Sequence, residues 1–256
     1  DPDSEPVIAQ TIDLNGNFAE FGRVIRCVPE SPEQPEMLLY TFAGLLGYLG
    51  LNSAGLAVGI NMVLSSGWQP GVSPYLLVRH LLAQTSIAAC LHELDRIRRS
   101  SSRSLVISDS RELVNVEMTA GDLRVRRGPR LFHTNHYLHP DLVAADRVNI
   151  LSRNSSIRRL RQIEALVDER GADLSSTRPE RPEASRERAE TLFELLSDHS
   201  IWPVGICAHA EGQLRRSDTV GAVVMFPAQG RLLVRRGHPC VNQTREFTLS
   251  RPVSPG

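Results

Sequence analysis

The sequence predicts an α+β fold in which mainly antiparallel sheets are covered by helices. Short apolar runs typical of strands occur in groups along the chain, and helical patterns are grouped between them. A parallel sheet built from βαβ units would instead alternate strand and helix throughout. The order of strands, a helix pair, strands, helices and strands therefore favours antiparallel pairing.

The first group of strands ends before residue 65. Strands are predicted over 7–14, 23–28 and 36–42, and a glycine-punctuated hairpin is predicted over 43–64 with its turn at 52–55. Asn15-Gly16, directly after the first strand, is typical of a hairpin turn. The second arm of the later hairpin is apolar except for Gly59 and Asn61. A lone Asn in a core strand must be hydrogen-bonded, either as a structural residue or as an oxyanion donor.

Helices and further strands follow. Two amphipathic helices are predicted over 74–82 and 87–98, and strands over 104–108, 113–118 and 123–127. Ser155 or Ser156 is a suitable N-cap for a helix that ends at Glu169. The polar stretch 172–188 is predicted to be a loop excursion that packs poorly. A short helix over 189–196 and strands over 204–208, 220–226, 231–236 and near Phe247 complete the chain.

The charged residues exclude some kinds of function. All 29 basic residues are Arg, so a Schiff base or a Lys nucleophile is excluded for the residues given. The formal net charge is zero, so no nucleic-acid partner is expected. Arg158, Arg159 and Arg161 on the predicted helix are interpreted as a solvated face.

The cysteines give no indication of a metal site. Of Cys27, Cys90, Cys207 and Cys240, no two form a C-x-x-C pair, so no metal ligand is predicted and buried free thiols are expected. The spacing leaves a disulfide open. No apolar run reaches membrane-spanning length and no signal peptide is visible, so no membrane partner is expected. The compartment is left open, with a cytoplasmic location favoured.

Residues 131–136, Leu-Phe-His-Thr-Asn-His, place polar side chains after a strand-like run, where scaffolds often carry chemistry. Asn135 has a neutral amide that can donate to an oxyanion without titrating. Its neighbours Thr134 and His136 are predicted to contact substrate. Taken alone, the pattern is also typical of a turn with capping side chains. Asp13 leaves the same choice open, because it could cap the turn that follows the first strand.

Five segments match the motifs of one enzyme family. They are VIAQTID (7–13), GYLGLNSAGLAVGIN (47–61), HTNH (133–136), Ile206-Cys207 with His209, and GHPC (237–240). Together, and in this order, they resemble the isopenicillin N acyltransferase family of N-terminal-nucleophile (Ntn) hydrolases. The resemblance implies a single domain over residues 1–256, a four-layer αββα sandwich, and an amide-processing activity that needs no cofactor.

The family's mechanism implies roles for individual residues. A precursor cleaves itself to free an N-terminal Cys, whose thiol attacks an amide or thioester carbonyl while its own α-amine acts as base. Asp13 matches the Asp that holds this amine, and Asn135 matches the oxyanion-stabilising Asn. Asn61 is more loosely similar to a second oxyanion Asn. The family spacing places the nucleophilic Cys a few residues upstream of Asp1, and a cleaved propeptide is an implied partner.

Departures from the family leave alternatives open. Thr11 stands where Asn is usual, and Ala208 stands where a substrate-orienting Arg is common. The alternative function is a catalytically inactive relative that acts as a binding or scaffold protein. A Cys207–His209 pair is a third hypothesis, disfavoured because residues two apart on a strand seldom have attack geometry. The expected partners are a small-molecule amide or acyl thioester and, as an open possibility, a second copy in a homo-oligomer.

Overall fold

The computed structural model describes residues 5–170, 182–210, 217–250 and 253. The strands are β1 (Ile8–Leu14), β2 (Gly22–Cys27), β3 (Met37–Phe42), β4 (Leu49–Asn52), β5 (Ala57–Asn61), β6 (Arg103–Ser108), β7 (Leu113–Met118), β8 (Leu123–Arg127), β9 (Asp218–Phe226), β10 (Arg231–Arg236) and β11 (Arg245–Thr248). The helices are α1 (Pro74–Leu81), α2 (Ile87–Arg96), α3 (Pro140–Val143), α4 (Ile150–Glu169) and α5 (Pro182–Leu196).

These strands form two sheets. A seven-stranded sheet contains β2 to β8 in sequence order, and a four-stranded sheet has the order β1-β9-β10-β11. Every strand pair in both sheets is antiparallel. The predicted antiparallel α+β class is therefore confirmed.

The side chains of β3 show how the layers form, because alternate residues of a strand face opposite sides of a sheet. Tyr40 and Phe42 pack towards the four-stranded sheet, where they join Val223 and Met225 of β9 in one buried core. Leu39, which points the other way, belongs to the core that covers the seven-stranded sheet with α1 and α2. The two sheets therefore stack face to face.

The outer face of the four-stranded sheet is covered by helices. Val224 and Phe226 of β9 pack there against Ala189 and Phe193 of α5, with Ile163 of α4 beside them. The layers are thus helices, seven-stranded sheet, four-stranded sheet and helices, which is the αββα sandwich that the resemblance implies. That one domain covers residues 1–256 stays a prediction.

Two predictions are wrong: the hairpin turn after β1 and the N-cap of α4. Asn15-Gly16 does not close a hairpin, because β1 and β2 lie in different sheets and a 3₁₀ helix (Gly16–Phe21) connects them. Helix α4 begins at Ile150, and its N-cap is Asn149, whose side chain accepts a hydrogen bond from the Ser152 amide. Ser156, predicted as a cap, is instead buried within the helix.

Two predictions in the second half also need correction. Residues 182–188 are the start of α5 rather than loop, because Ser185 extends the buried face of Ala189 and Phe193 by one turn. The rest of the predicted excursion, 172–181, lies outside the described residues. Residues 204–208 do not form a strand, since the amides of Ile206 and Cys207 both donate to the Asp198 carbonyl rather than to a ladder.

Candidate active site

A cavity of about 1320 Å³ lies along the outer edge of β1. Its walls come from residues 7–15, the end of β5, the loop 131–135, the start of α4 and part of the segment 202–208. Ile150, Leu151 and Trp202 line it while exposing 74%, 78% and 54% of their surface, so apolar groups stand at its mouth. The cavity can take a small molecule with an apolar portion.

Asp13 lies on this cavity, at an irregularity in the pairing of β1 with β9. The hydroxyl of Thr219 donates to its Oδ1 at 2.6 Å. The same hydroxyl accepts a hydrogen bond from the Ala208 amide at 2.8 Å, so Thr219 is held from both sides. The Asp13 carboxylate is therefore fixed in orientation and does not cap the Asn15-Gly16 turn in the way the alternative interpretation required.

Asn135 lies on the same cavity, in the loop between β8 and α3. Its Nδ2 donates to the Met62 carbonyl at 3.0 Å, which uses one of the two amide hydrogens. Its backbone amide donates to the Ser156 hydroxyl of α4 at 2.7 Å. The residue is thus held through its Nδ2 and its backbone amide, and among the described residues Nδ2 makes one hydrogen bond, which leaves its second hydrogen for a ligand.

Arg159 of α4 joins the two predicted residues. Its Nη2 donates to Asn135 Oδ1 at 2.8 Å, and its Nη1 lies 3.7 Å from Asp13 Oδ2. The Arg159 side chain is only 15% exposed, so the predicted solvated face is wrong for this residue. Arg159 follows the buried Ser156 by three residues and so shares its face of the helix.

Asn61 ends β5 and also lines the cavity. Among the residues that the structure describes, none is hydrogen-bonded to its side chain, while the next residue supplies the carbonyl that Asn135 binds. Gln10 of β1 fixes this edge, because its amide donates to the Ile60 carbonyl at 2.5 Å and accepts from the Ile60 amide at 3.1 Å. Asp13, Asn61 and Asn135 therefore share one cavity, and Gln10 is a contributor that the sequence analysis missed.

Thr134 and His136, the two residues predicted to contact substrate, both bind the loop to α4. Both contact the buried Ser156 hydroxyl, Thr134 at 2.8 Å and His136 Nδ1 at 2.7 Å. Thr134 reaches the cavity wall, but His136 does not line the cavity and is 6% exposed. Burial, with the neighbouring His133, lowers the pKa of His136 and favours its neutral form. The geometry gives His136 a role in holding the loop to α4 and does not support substrate contact.

A buried contact between His133 and Glu117 of β7 anchors this loop. His133 Nε2 lies 2.7 Å from Oε1 of Glu117, a residue with no exposed surface. The amides of Leu138 and His139 donate to the same carboxylate, each at 2.7 Å. Burial alone would raise the pKa of Glu117, but these hydrogen bonds outweigh it and hold the pKa below its ordinary value.

Comparison with known families agrees with this geometry. Residues 2–232 match the family described as acyl-coenzyme A:6-aminopenicillanic acid acyl-transferase. The chain belongs to this family. A curated member, the 40 kDa form of acyl-coenzyme A:6-aminopenicillanic-acid-acyltransferase of Emericella nidulans, is 27% identical over 214 residues. The alignment covers 81% of this chain and 55% of that protein, so the chain spans about half the length of this relative.

Solved structures of Ntn hydrolases have the same fold as this chain. Penicillin V acylase of Agrobacterium tumefaciens aligns at a TM-score of 0.62 and 12% identity, over 96% of this chain and 83% of the other. A variant of the conjugated bile acid hydrolase of Clostridium perfringens aligns at 0.55 and 12% identity, over 98% and 95% of the two chains. At these identities the likeness shows the fold alone.

A second cluster lies behind the cavity wall of this acyltransferase-family chain. One ligand atom from each of His199, Cys207, His209 and Cys240 lies within 4.8 Å of all the others. C-x-x-C spacing gives no signal for this cluster, because its members meet only through the fold. Ile206 and Ala208 line the cavity but Cys207 does not, so the geometry does not support Cys207 as the nucleophile.

Within the part of the chain that the structure describes, no helix combines the length and the apolar character needed to cross a bilayer.

Proposed function

We propose that this chain forms the reaction centre of an Ntn acyltransferase or amidohydrolase whose N-terminal Cys thiol lies just upstream of Asp1. The observation that carries the proposal is the contact of Arg159 with both the Asp13 carboxylate and the Asn135 amide on one cavity. Asn61 opens onto the same cavity. A cation that exposes only 15% of its side chain and contacts both an acid and an amide beside a cavity is an arrangement common at functional sites.

The position of β1 supports a nucleophile supplied from upstream. β1 is the edge strand of its sheet, and residues 7–15 line the cavity along that edge. Upstream residues that turn back and pair antiparallel with β1 would bring the start of the chain opposite Asp13. The cavity volume of about 1320 Å³ exceeds the roughly 300–1,000 Å³ of a small-molecule site, which leaves room for a strand and a small acyl group.

The reaction would then be an acyl transfer with a thioester acyl-enzyme as its intermediate. The α-amine takes the thiol proton, the thiolate attacks the carbonyl carbon, and the carbonyl oxygen becomes an oxyanion. Asp13 holds the resulting ammonium, while Asn135 and Asn61 donate amide hydrogens to the oxyanion. Collapse of the intermediate breaks the bond to the leaving amine or thiol, which takes the proton, and leaves an acyl-enzyme that water or an amine resolves.

The substrate class we propose is a small-molecule amide or acyl thioester. The apolar mouth formed by Ile150, Leu151 and Trp202 suits an acyl chain or ring. Arg103 also lines the cavity, and with Arg159 it supplies positive charge in a chain that has Ala208 in place of the family's common Arg. A substrate with a carboxylate or phosphate beyond its acyl group would fit these cations.

We propose the same residues for maturation. The bond that precedes the nucleophilic Cys is itself an amide, so the oxyanion donors Asn135 and Asn61 can serve its cleavage as well as turnover. The released propeptide, which is encoded in the same precursor, is then a partner of the mature chain. Assembly into a homo-oligomer stays a prediction.

Trapping the acyl-enzyme tests this function. The protein with its natural upstream sequence is mixed with a small acyl thioester and quenched in acid, and its mass is measured. The expected result is an added acyl group on the N-terminal peptide, which is lost when the upstream Cys is changed to Ala. Acylation of an internal Cys in place of the N-terminal one would contradict the proposal, and no acylation with any acyl thioester or amide would favour the inactive relative.

A further inference from the structure

We propose that His199, Cys207, His209 and Cys240 form a structural zinc site. All four residues carry atoms that zinc prefers, two thiolate sulfurs and two imidazole nitrogens. Two of the chain's four cysteines and two of its eight histidines meet at this point. This inference is independent of the proposed function, because none of the four residues takes part in the acyl-transfer steps.

Three of the distances among these four atoms match a tetrahedron around zinc. Zinc bonds of about 2.3 Å to sulfur and 2.0–2.1 Å to nitrogen place tetrahedral ligands about 3.8 Å apart for two sulfurs, 3.6 Å for sulfur and nitrogen, and 3.3 Å for two nitrogens. The Cys207 and Cys240 sulfurs are 3.8 Å apart. His209 Nε2 lies 3.5 Å from the first sulfur and 3.4 Å from the second. The His199 and His209 Nε2 atoms, 2.9 Å apart, would separate slightly on binding.

Neighbouring groups hold the ligands in place, as second-shell contacts do in structural metal sites. The ring of His238 stacks on the ring of His209 with centroids 3.9 Å apart, and its Nε2 lies 2.7 Å from Asp218 Oδ1. The Asp198 carbonyl accepts the Cys207 amide at 3.3 Å. These contacts orient His209 and Cys207 before any ion binds, which lowers the cost of assembling the site.

The site would fasten two irregular segments together. His199, Cys207 and His209 belong to the segment between α5 and β9, whereas Cys240 follows β10. A four-ligand tetrahedral centre has no open position for water, so its role is structural rather than catalytic. Ile206 and Ala208, which flank Cys207, line the cavity, so the zinc would stabilise that wall.

Metal analysis of the purified protein tests the site directly. Protein made with its natural upstream sequence, in zinc-supplemented medium without chelators, is expected to carry about one zinc per chain. Cys207→Ser and Cys240→Ser should each lower this content at least about tenfold, because each removes one thiolate ligand. Cys27→Ser is the matched control, since Cys27 lies at the end of β2 and outside the cluster.

Two further measurements keep the test decisive if a variant fails to fold. Zinc is removed from the wild-type protein with a chelator and a thiol reductant, and cobalt(II) is added. The visible absorption of tetrahedral cobalt thiolate, present in wild type and Cys27→Ser, is the expected result. The proposal would be overturned if purified wild-type protein contained no zinc and its mass showed a Cys207–Cys240 disulfide. Zinc retained in the Cys207→Ser/Cys240→Ser double variant would also overturn it, as would cobalt bound without thiolate absorption.

Discussion

At the scale of single residues, Arg159 explains how the site is assembled. It contacts a carboxylate on β1 and an amide in the loop before α3, so one side chain sets the position of two groups from different layers. Sequence reasoning could predict Asp13 and Asn135 from motifs, because their chemistry is legible in the residue type. It could not predict Arg159 or Gln10, whose roles depend on which strand and helix they meet.

Replacing Asn135 separates a functional role from a structural one. If its amide donates to an oxyanion, Asn135→Ala should lower turnover by about 10²–10³ per folded molecule. Asn135→Asp should do worse, since a carboxylate repels the oxyanion. The measurement is specific activity divided by the folded fraction. Asn115→Ala is the control, because Asn115 is buried and hydrogen-bonded to Ser104 and Leu105 away from the cavity. If both Ala variants lose only stability, of roughly 1–3 kcal/mol, Asn135 is structural.

Replacing Arg159 tests its role as a positioning residue. Arg159→Gln keeps a polar side chain but loses the second contact, so Asp13 and Asn135 should shift and kcat should fall by about 10²-fold. Arg159→Lys should recover part of the loss, because it keeps the charge without the two-pronged geometry. Arg161→Gln, on the exposed face of α4, is the control. Equal kcat in the Arg159→Gln and Arg161→Gln enzymes would remove Arg159 from the mechanism.

At the scale of elements, short apolar runs made most strands predictable, because the central strands are buried on both faces and are therefore apolar along their length. The failures lie where tertiary contacts replace local signals. Residues 204–208 read as a strand but bond to Asp198 and Thr219, and the polar start of α5 was read as loop. Asn149 rather than Ser155 or Ser156 caps α4, because the helix begins at Ile150 and the Asn149 side chain accepts a hydrogen bond from the Ser152 amide.

The Glu117 carboxylate makes the loop before α3 sensitive to acid. In the folded protein, hydrogen bonds outweigh the effect of burial and hold its pKa below the ordinary value of a Glu side chain. The stability it contributes is therefore present above its unfolded pKa and is lost as pH falls through the lower, folded pKa. We expect the free energy of unfolding to fall below about pH 4.5 in wild type, with a shallower fall in Glu117→Gln.

That variant should also be less stable at neutral pH, by about 1–3 kcal/mol, because a buried donor loses its acceptor. Denaturant unfolding followed across the acid range measures both effects. Parallel curves for wild type and Glu117→Gln would show that other carboxylates carry the acid sensitivity.

At the scale of the whole molecule, the αββα layers place the cavity at one end of the sheet stack, where β1 and β5 approach each other. The layer order could be predicted from the family resemblance and the order of elements. The His/Cys cluster could not, because 40 residues lie between His199 and Cys240 along the chain and only the fold brings them together.

Gly59 on β5 allows β1 of the four-stranded sheet to approach β5 of the seven-stranded sheet. A Cβ at position 59 would lie 2.7 Å from Gln10 Oε1 and would break the contact of Gln10 with Ile60. Gly59→Ala should therefore destabilise the protein by roughly 1–3 kcal/mol. Gly121→Ala, where a Cβ would meet nothing within 4 Å, should be close to neutral. The melting temperatures of the two variants are measured by thermal unfolding. Equal melting temperatures would show that the contact of Gln10 with Ile60 does not hold the two sheets together.

The mature N-terminus tests the central claim most directly. The protein is expressed with its natural upstream sequence, purified, and its N-terminal peptide is sequenced by mass spectrometry. We expect the mature chain to begin with a Cys a few residues before Asp1, and the precursor to accumulate uncleaved when that Cys is changed to Ala. A stable chain that begins with any other residue, or an uncleaved precursor in the unmodified protein, would contradict an N-terminal thiol nucleophile at this site.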